Sequence, residues 1–142
     1  MPYTLPMRYL GIDYGTKKVG LALSDEDGRM GFPHAVIPNT PRLVSELAAL
    51  IARESVGGVV IGESRSLAGA DNPVALAAHA LGETLRQQVG VPVAYESEVF
   101  TSAEARRAPE KAPKTRRPKR HADEDASAAA LILTSYLNHH GA

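Results

Sequence analysis

Leu10-Gly-Ile-Asp-Tyr-Gly-Thr-Lys-Lys-Val-Gly-Leu-Ala-Leu-Ser-Asp25 holds two short apolar runs joined by a glycine-containing turn. Residues 8–14 alternate weakly and end at Gly15, which predicts a buried first strand. Residues 19–24 form the second run. Asp25-Glu-Asp-Gly28 then gives a tight-turn signal, because Asp-Gly readily supplies the positive φ of hairpin turns. Residues 30–37 predict a third strand, in which Pro33 points to an edge position or a bulge. The chain is therefore expected to open as an antiparallel three-strand meander. Asp13 interrupts its first strand, where a charge is costly unless it is paired or bound to metal.

Working outward, helices and strands alternate. Thr40 suits a helix N-cap and Pro41 its first position. Leu43, Val44, Leu47, Leu50 and Ile51 recur at helical spacing, ending near Ser55. Val59-Val-Ile61 is apolar throughout, as a central strand covered on both faces should be. Asp71 or Asn72 should cap a second helix, with Pro73 at its start and Val89 near its end. Residues 91–95 predict a fifth strand. Thr101-Ser-Ala-Glu104 reads as a capping box that opens a third helix, ending at Pro109. Residues 108–122 carry prolines and basic charge, which predicts a mobile loop. A last helix should begin near Asp123–Asp125 and run to about Asn138. The expected architecture is one α/β domain over residues 1–142. It has a mixed five-stranded sheet with helices on both faces, after a leader at residues 1–7.

Composition narrows the function. The 142 residues contain no Cys, which excludes disulfides, a thiolate nucleophile and Cys-ligated metals. Apolar residues are 44% and aromatic residues 5%, so the core must be largely aliphatic. No apolar run approaches the roughly 20 residues of a membrane span, and no signal-peptide pattern is seen, so a soluble cytoplasmic protein without membrane contact is expected. The formal net charge of zero hides a segregation. Arg106, Arg107, Lys111, Lys114, Arg116, Arg117, Lys119 and Arg120 stand within residues 106–120 beside one acid, Glu110. That segment carries +7 and the rest of the chain −7. Such a segment suits a polyanion such as RNA or DNA.

Three acids draw attention by position: Asp13, Glu98 just past the fifth strand, and Asp125 at the start of the last helix. Strands one and five can end at the same edge, and the last helix can bring its N-terminus there. Three converging carboxylates repel unless cations are present, and hard oxygen ligands suit Mg²⁺ or Mn²⁺. Two such ions about 4 Å apart can stabilise the attacking and leaving oxygens of phosphodiester cleavage. On spacing alone, separate caps and solvated acids are the better explanation, since 16 acids offer many such triples. Asp123 competes with Asp125, and Glu63 and Glu96 compete with Glu98. Lys17 and Lys18, in the turn after Asp13, are candidates to hold a phosphate, and His121 borders the acids.

The opening motif closely resembles that of the YqgF/RuvX family of RNase H-like nucleases. Glu98-Val-Phe-Thr-Ser-Ala-Glu-Ala105 is similar to the family's acidic motif. Asp125-Ala-Ser-Ala-Ala-Ala-Leu-Ile-Leu-Thr-Ser-Tyr-Leu137 is similar to its closing helix. The resemblance spans about residues 8–138. It implies an RNase H-like fold and a metal-dependent nuclease with Asp13, Glu98 and Asp125 as catalytic and metal-binding acids; Asp123, which competes with Asp125 and also suits a helix cap, is a further candidate metal ligand from its position alone. It implies Mg²⁺ or Mn²⁺ as cofactor, and precursor 16S ribosomal RNA or a Holliday junction as substrate. A monomer and a homodimer are both compatible with it. The family usually places an Asp before and an Arg after its motif Glu; this chain has Ser97 and Val99. The loop after the fourth strand reads Gly62-Glu-Ser64, without the family's Pro.

Two other readings follow from the same residues. Asp13-Tyr-Gly-Thr16 also resembles the phosphate loop of actin-like ATPases and sugar kinases, but those close two lobes over ATP and 142 residues build one. A non-catalytic RNA- or DNA-binding module would use the basic segment alone. Retention of all three acids speaks against it, since buried acids without metal reduce stability.

Overall fold

The computed structural model describes residues 7–63, 73–97 and 121–140; for residues 97, 121–124 and 140 it describes the backbone alone. Three strands open the chain: β1 (Arg8–Asp13), β2 (Lys18–Ser24) and β3 (Gly31–Pro38). Then come α1 (Leu43–Arg53), β4 (Val56–Glu63), α2 (Pro73–Thr84) and β5 (Val93–Ser97). The helix α3 (His121–His140) closes the described chain. The strands form one sheet in the order β3-β2-β1-β4-β5. The β1–β2 and β2–β3 pairs are antiparallel, whereas β1–β4 and β4–β5 are parallel. The meander and the mixed five-stranded sheet are thus both present.

Pro33 does what its chemistry requires. It lies on an edge strand, and the register slips where Leu21 faces Ala35 and Ala22 faces Pro33. The turn after β2 is held by Asp25, whose Oδ1 accepts the backbone N–H groups of Arg29 (2.8 Å) and Met30 (3.1 Å). Desolvation alone would push this carboxyl up. The N–H donors outweigh it and hold the group below its ordinary value. A lowered folded value contributes stability above the ordinary carboxylate range and loses it as pH falls through the folded value. Asp25→Ala should therefore cost about 1 kcal/mol near neutral pH and much less near about pH 2. Urea midpoints of the two proteins at both pH values check this; an equal gap at both would refute it.

Thr40 is not the N-cap: its Oγ1 accepts the Arg42 N–H at 3.1 Å in the turn before α1, and the helix starts at Leu43 with Arg42 at its N-cap and no side-chain cap. Ser55, with φ of 56°, reverses the chain between α1 and β4. β4 starts at Val56, earlier than the apolar Val59–Ile61 run implies, and takes in Gly57 and Gly58. α2 passes into a π-helical turn at Leu85–Val89, closed by left-handed Gly90. α3 starts at His121, so two residues of the expected 108–122 loop are helical backbone. The expected helix at residues 101–109 and the basic segment at 106–120 lie outside the described residues.

Strand alternation divides the core. Leu10, Ile12, Val19, Leu21, Val59 and Ile61 pack with Leu43, Leu47, Leu50, Leu81 and Leu85 of the helices on one side. Ala22 and Val60 face the other side, against Ala129, Ala130, Ile132, Leu133 and Leu137 of α3. β4 is therefore covered on both faces, as its unbroken apolar run implies. The second layer is thin. A Cβ on Gly11 would stand 2.8 Å from Leu133 Cβ, and one on Gly31 would stand 2.9 Å from it. Glycines in the sheet and alanines on α3 let that helix lie close against the strands.

Candidate active site at the carboxyl end of the first strand

The site is built by β1, β2 and the first turns of α3. Asp13 ends β1 and pairs across the ladder with Gly20 of β2. Directly opposed residues project to the same face, so Asp13 faces α3, as Gly11 does two residues earlier. Gly20 lies beneath Asp125: a Cβ at Gly20 would overlap the Asp125 backbone carbonyl and stand 3.2 Å from Asp125 Cβ. Glycine is required here by close approach, not by backbone conformation. Asp13 and Asp125, separated by 112 positions in the chain, thus flank one glycine on the same side of the sheet.

Lys18 opens β2 on that side, two residues before Gly20. Its Nζ lies 3.5 Å from Asp125 Oδ2, with both side chains partly exposed. Lys17 is exposed, and its carbonyl accepts the Asn39 N–H at 2.9 Å. The turn between the strands is tied by Asn39 Nδ2, which donates to the Gly15 carbonyl at 2.7 Å. The two candidate lysines are therefore placed differently, and Lys18 is the one paired to a site acid.

Glu98 lies one residue beyond the described end of β5, and the side chain of Asp123 lies outside the described residues, as does that of His121. The two acids that compete with Glu98 in sequence are occupied elsewhere. Glu63 is on the opposite face, its Oε2 2.9 Å from His79 Nε2 in α2. The His79 ring stacks on Tyr95 with centroids 4.1 Å apart. Burial, and then the Glu83 carboxylate, push the Tyr95 hydroxyl above its ordinary value. Glu96 faces α3, accepts the Ser135 Oγ–H at 2.6 Å and lies 3.6 Å from His139 Nδ1. Sequence reasoning did not find His79, Ser135 or His139 as partners. The i, i+4 spacing of Ser135 and His139 was the one available signal.

Among the described residues, no group of three His, Cys, Asp or Glu side chains is placed to hold a metal ion. Asp13 and Asp125 place two carboxylates, which are hard oxygen donors, on one face of the sheet. That donor chemistry fits Mg²⁺ or Mn²⁺. Among the described residues no helix is long and apolar enough to cross a membrane.

A mixed sheet in this order, with an acid ending its central strand and a second on the helix packed across it, defines an RNase H-like α/β protein. Solved resolvases share the fold. The RuvC of T. thermophilus in complex with a Holliday junction substrate superposes with a TM-score of 0.61 at 18% identity, covering 94% of this chain and 96% of that one. The yeast mitochondrial Holliday junction resolvase Ydc2 gives 0.53 at 14% identity, covering 99% and 84%. Residues 7–139 match the RuvX family, described as Holliday junction resolvase, and the chain belongs to that family. A relative from Maridesulfovibrio salexigens, named as a pre-16S rRNA nuclease, is 37% identical over 92% of this chain and 98% of its own length. One of the same name from Anaplasma marginale is 35% identical over 92% and 84%. Membership assigns the chain to the nucleases.

Proposed function

We propose that this chain is a metal-dependent endonuclease acting on structured nucleic acid, either the 5′ region of precursor 16S ribosomal RNA or a branched DNA junction. The observation that supports the reading is the placement of Asp13 opposite Gly20 in the sheet and of the Asp125 backbone over that glycine, in a chain of the RuvX family. Asp13, Asp125 and Glu98 would hold Mg²⁺ or Mn²⁺, with Asp123 adjoining. Bound there, divalent ions supply an activated water and offset the charge on the phosphate oxygens.

The chain's own part is positioning. Asp13 ends a strand that is paired on both sides as far as Ile12, and is itself paired with Gly20 of β2, so its backbone is set by the sheet and not by a loop. Asp125 is carried by a 20-residue helix anchored through Leu133 and Leu137. Ser97 and Val99 stand where an acid and an arginine are usual in the family. The basic segment at 106–120 would then carry most of the phosphate binding. The test is a cleavage assay with Mg²⁺ or Mn²⁺ on precursor rRNA fragments and on four-way DNA junctions. Cleavage of one and not the other assigns the substrate. Cleavage of neither, with binding retained, would replace the reading by a non-catalytic binding module.

The basic segment gives a separate expectation. Arg116, Arg117, Lys119 and Arg120 all replaced by Ala should weaken binding to duplex and flatten its salt dependence by up to about 0.9 per lost phosphate contact. Cleavage at saturating substrate should fall less than affinity, since these groups contact backbone and not the reacting atoms. Titration of a labelled duplex at several salt concentrations decides it. An unchanged slope would assign binding to another surface.

A further inference from the structure

We propose that Lys18 is the built-in counter-ion of the metal-free site: its ammonium group neutralises Asp125 until a divalent ion takes its place. The inference rests on the metal-dependent reading above and deepens it. Lys18 and Gly20 project to the same face of β2, and Gly20 brings the Asp125 backbone down onto that face. The Asp125 carboxylate then reaches along the strand to Lys18, with Oδ2 3.5 Å from Nζ. Asp13 lies beside the same glycine. Two acids therefore stand on this face, and Lys18 places a positive charge beside the second of them from within the chain.

The pair is suited to being displaced. Lys18 is 44% exposed and Asp125 33% exposed, and an ion pair this open to water is weak. A lysine stem is long and flexible, so its charge can leave without any movement of β2. A divalent ion binding Asp125 must break the pair and must also tolerate the departing charge nearby. Lys18 therefore lowers the affinity of the site for metal while it stabilises the metal-free protein. Once displaced, the ammonium remains at the mouth of the site, where a phosphate is the group it can meet.

The test compares Lys18→Gln and Lys18→Arg with the wild type, using Mn²⁺ alone as the probe. Calorimetric titration should show Lys18→Gln binding Mn²⁺ about fivefold more tightly, with Lys18→Arg close to wild type. Thermal melting supplies a second readout. In chelator, Lys18→Gln should melt below the wild type; in saturating Mn²⁺ the difference should vanish or reverse. A merely structural lysine would lower both melting temperatures equally. Equal or weaker Mn²⁺ binding by Lys18→Gln, while the wild type binds and Asp13→Asn does not, overturns the counter-ion role alone. If neither the wild type nor Asp13→Asn responds to Mn²⁺, the metal site itself falls, and this inference with it.

Discussion

Asp13→Asn should lower phosphodiester cleavage by about a thousandfold or more, because metal-ion stabilisation of the kind proposed is worth several kcal/mol in the transition state. The substitution preserves shape and removes one negative charge at the end of β1, where Asp13 opposes Gly20. Folding should survive it. The gain in melting temperature from added Mn²⁺ should shrink. Binding to nucleic acid should change little, since the basic cluster lies elsewhere in the chain. Single-turnover cleavage, duplex affinity and melting with and without Mn²⁺ test these three statements separately. Wild-type cleavage by Asp13→Asn would sink the mechanism.

Gly20→Ala is the second large effect, and it removes no functional group. The added Cβ would overlap the Asp125 carbonyl, which is backbone and cannot swing aside as a side chain can. The first turns of α3 must therefore rise from the sheet and take Asp125 with them. Overpacking of this kind costs about 1–3 kcal/mol. A displacement of about 1 Å at one site acid costs on the order of a hundredfold in rate. Gly11→Ala offers the informative comparison. It meets Leu133 Cβ at 2.8 Å and should destabilise similarly, but it acts two turns further along α3. Its effect on cleavage should be the smaller of the two. Equal activity of Gly20→Ala and the wild type would show that the distance between β2 and Asp125 does not matter to the reaction.

The residues differ in how openly they declare their roles. The meander was legible because local chemistry decides it: Asp25 to Gly28 can only turn, and Pro33 can only sit where a strand needs no partner. The central place of β4 was legible because an apolar run without alternation has nowhere else to go. Asp13 was legible as a charge in an apolar strand. Asp125 drew attention by its place at the start of the last helix, but only its likeness to a family motif set it apart from Asp123, because an acid in the first turns of a helix is ordinary.

The remainder depended on three dimensions. Glu63, Glu96 and Glu98 are equivalent acids to a reader of the sequence. Strand parity and packing separate the first two: Glu63 goes to His79 on one face, and Glu96 goes to Ser135 and His139 on the other. None of these three partners is near its acid in sequence, so no local pattern could have paired them. Lys17 and Lys18 are likewise adjacent and alike, and only the placement of α3 over Gly20 selects Lys18 as the partner of Asp125. The sequence by itself determined the order of strands and helices, through periodicity and turn chemistry acting over a few residues. Only the tertiary structure decided which charges meet, because α3 comes from more than 100 residues downstream to lie across β1 and β2, at a distance set by three glycines.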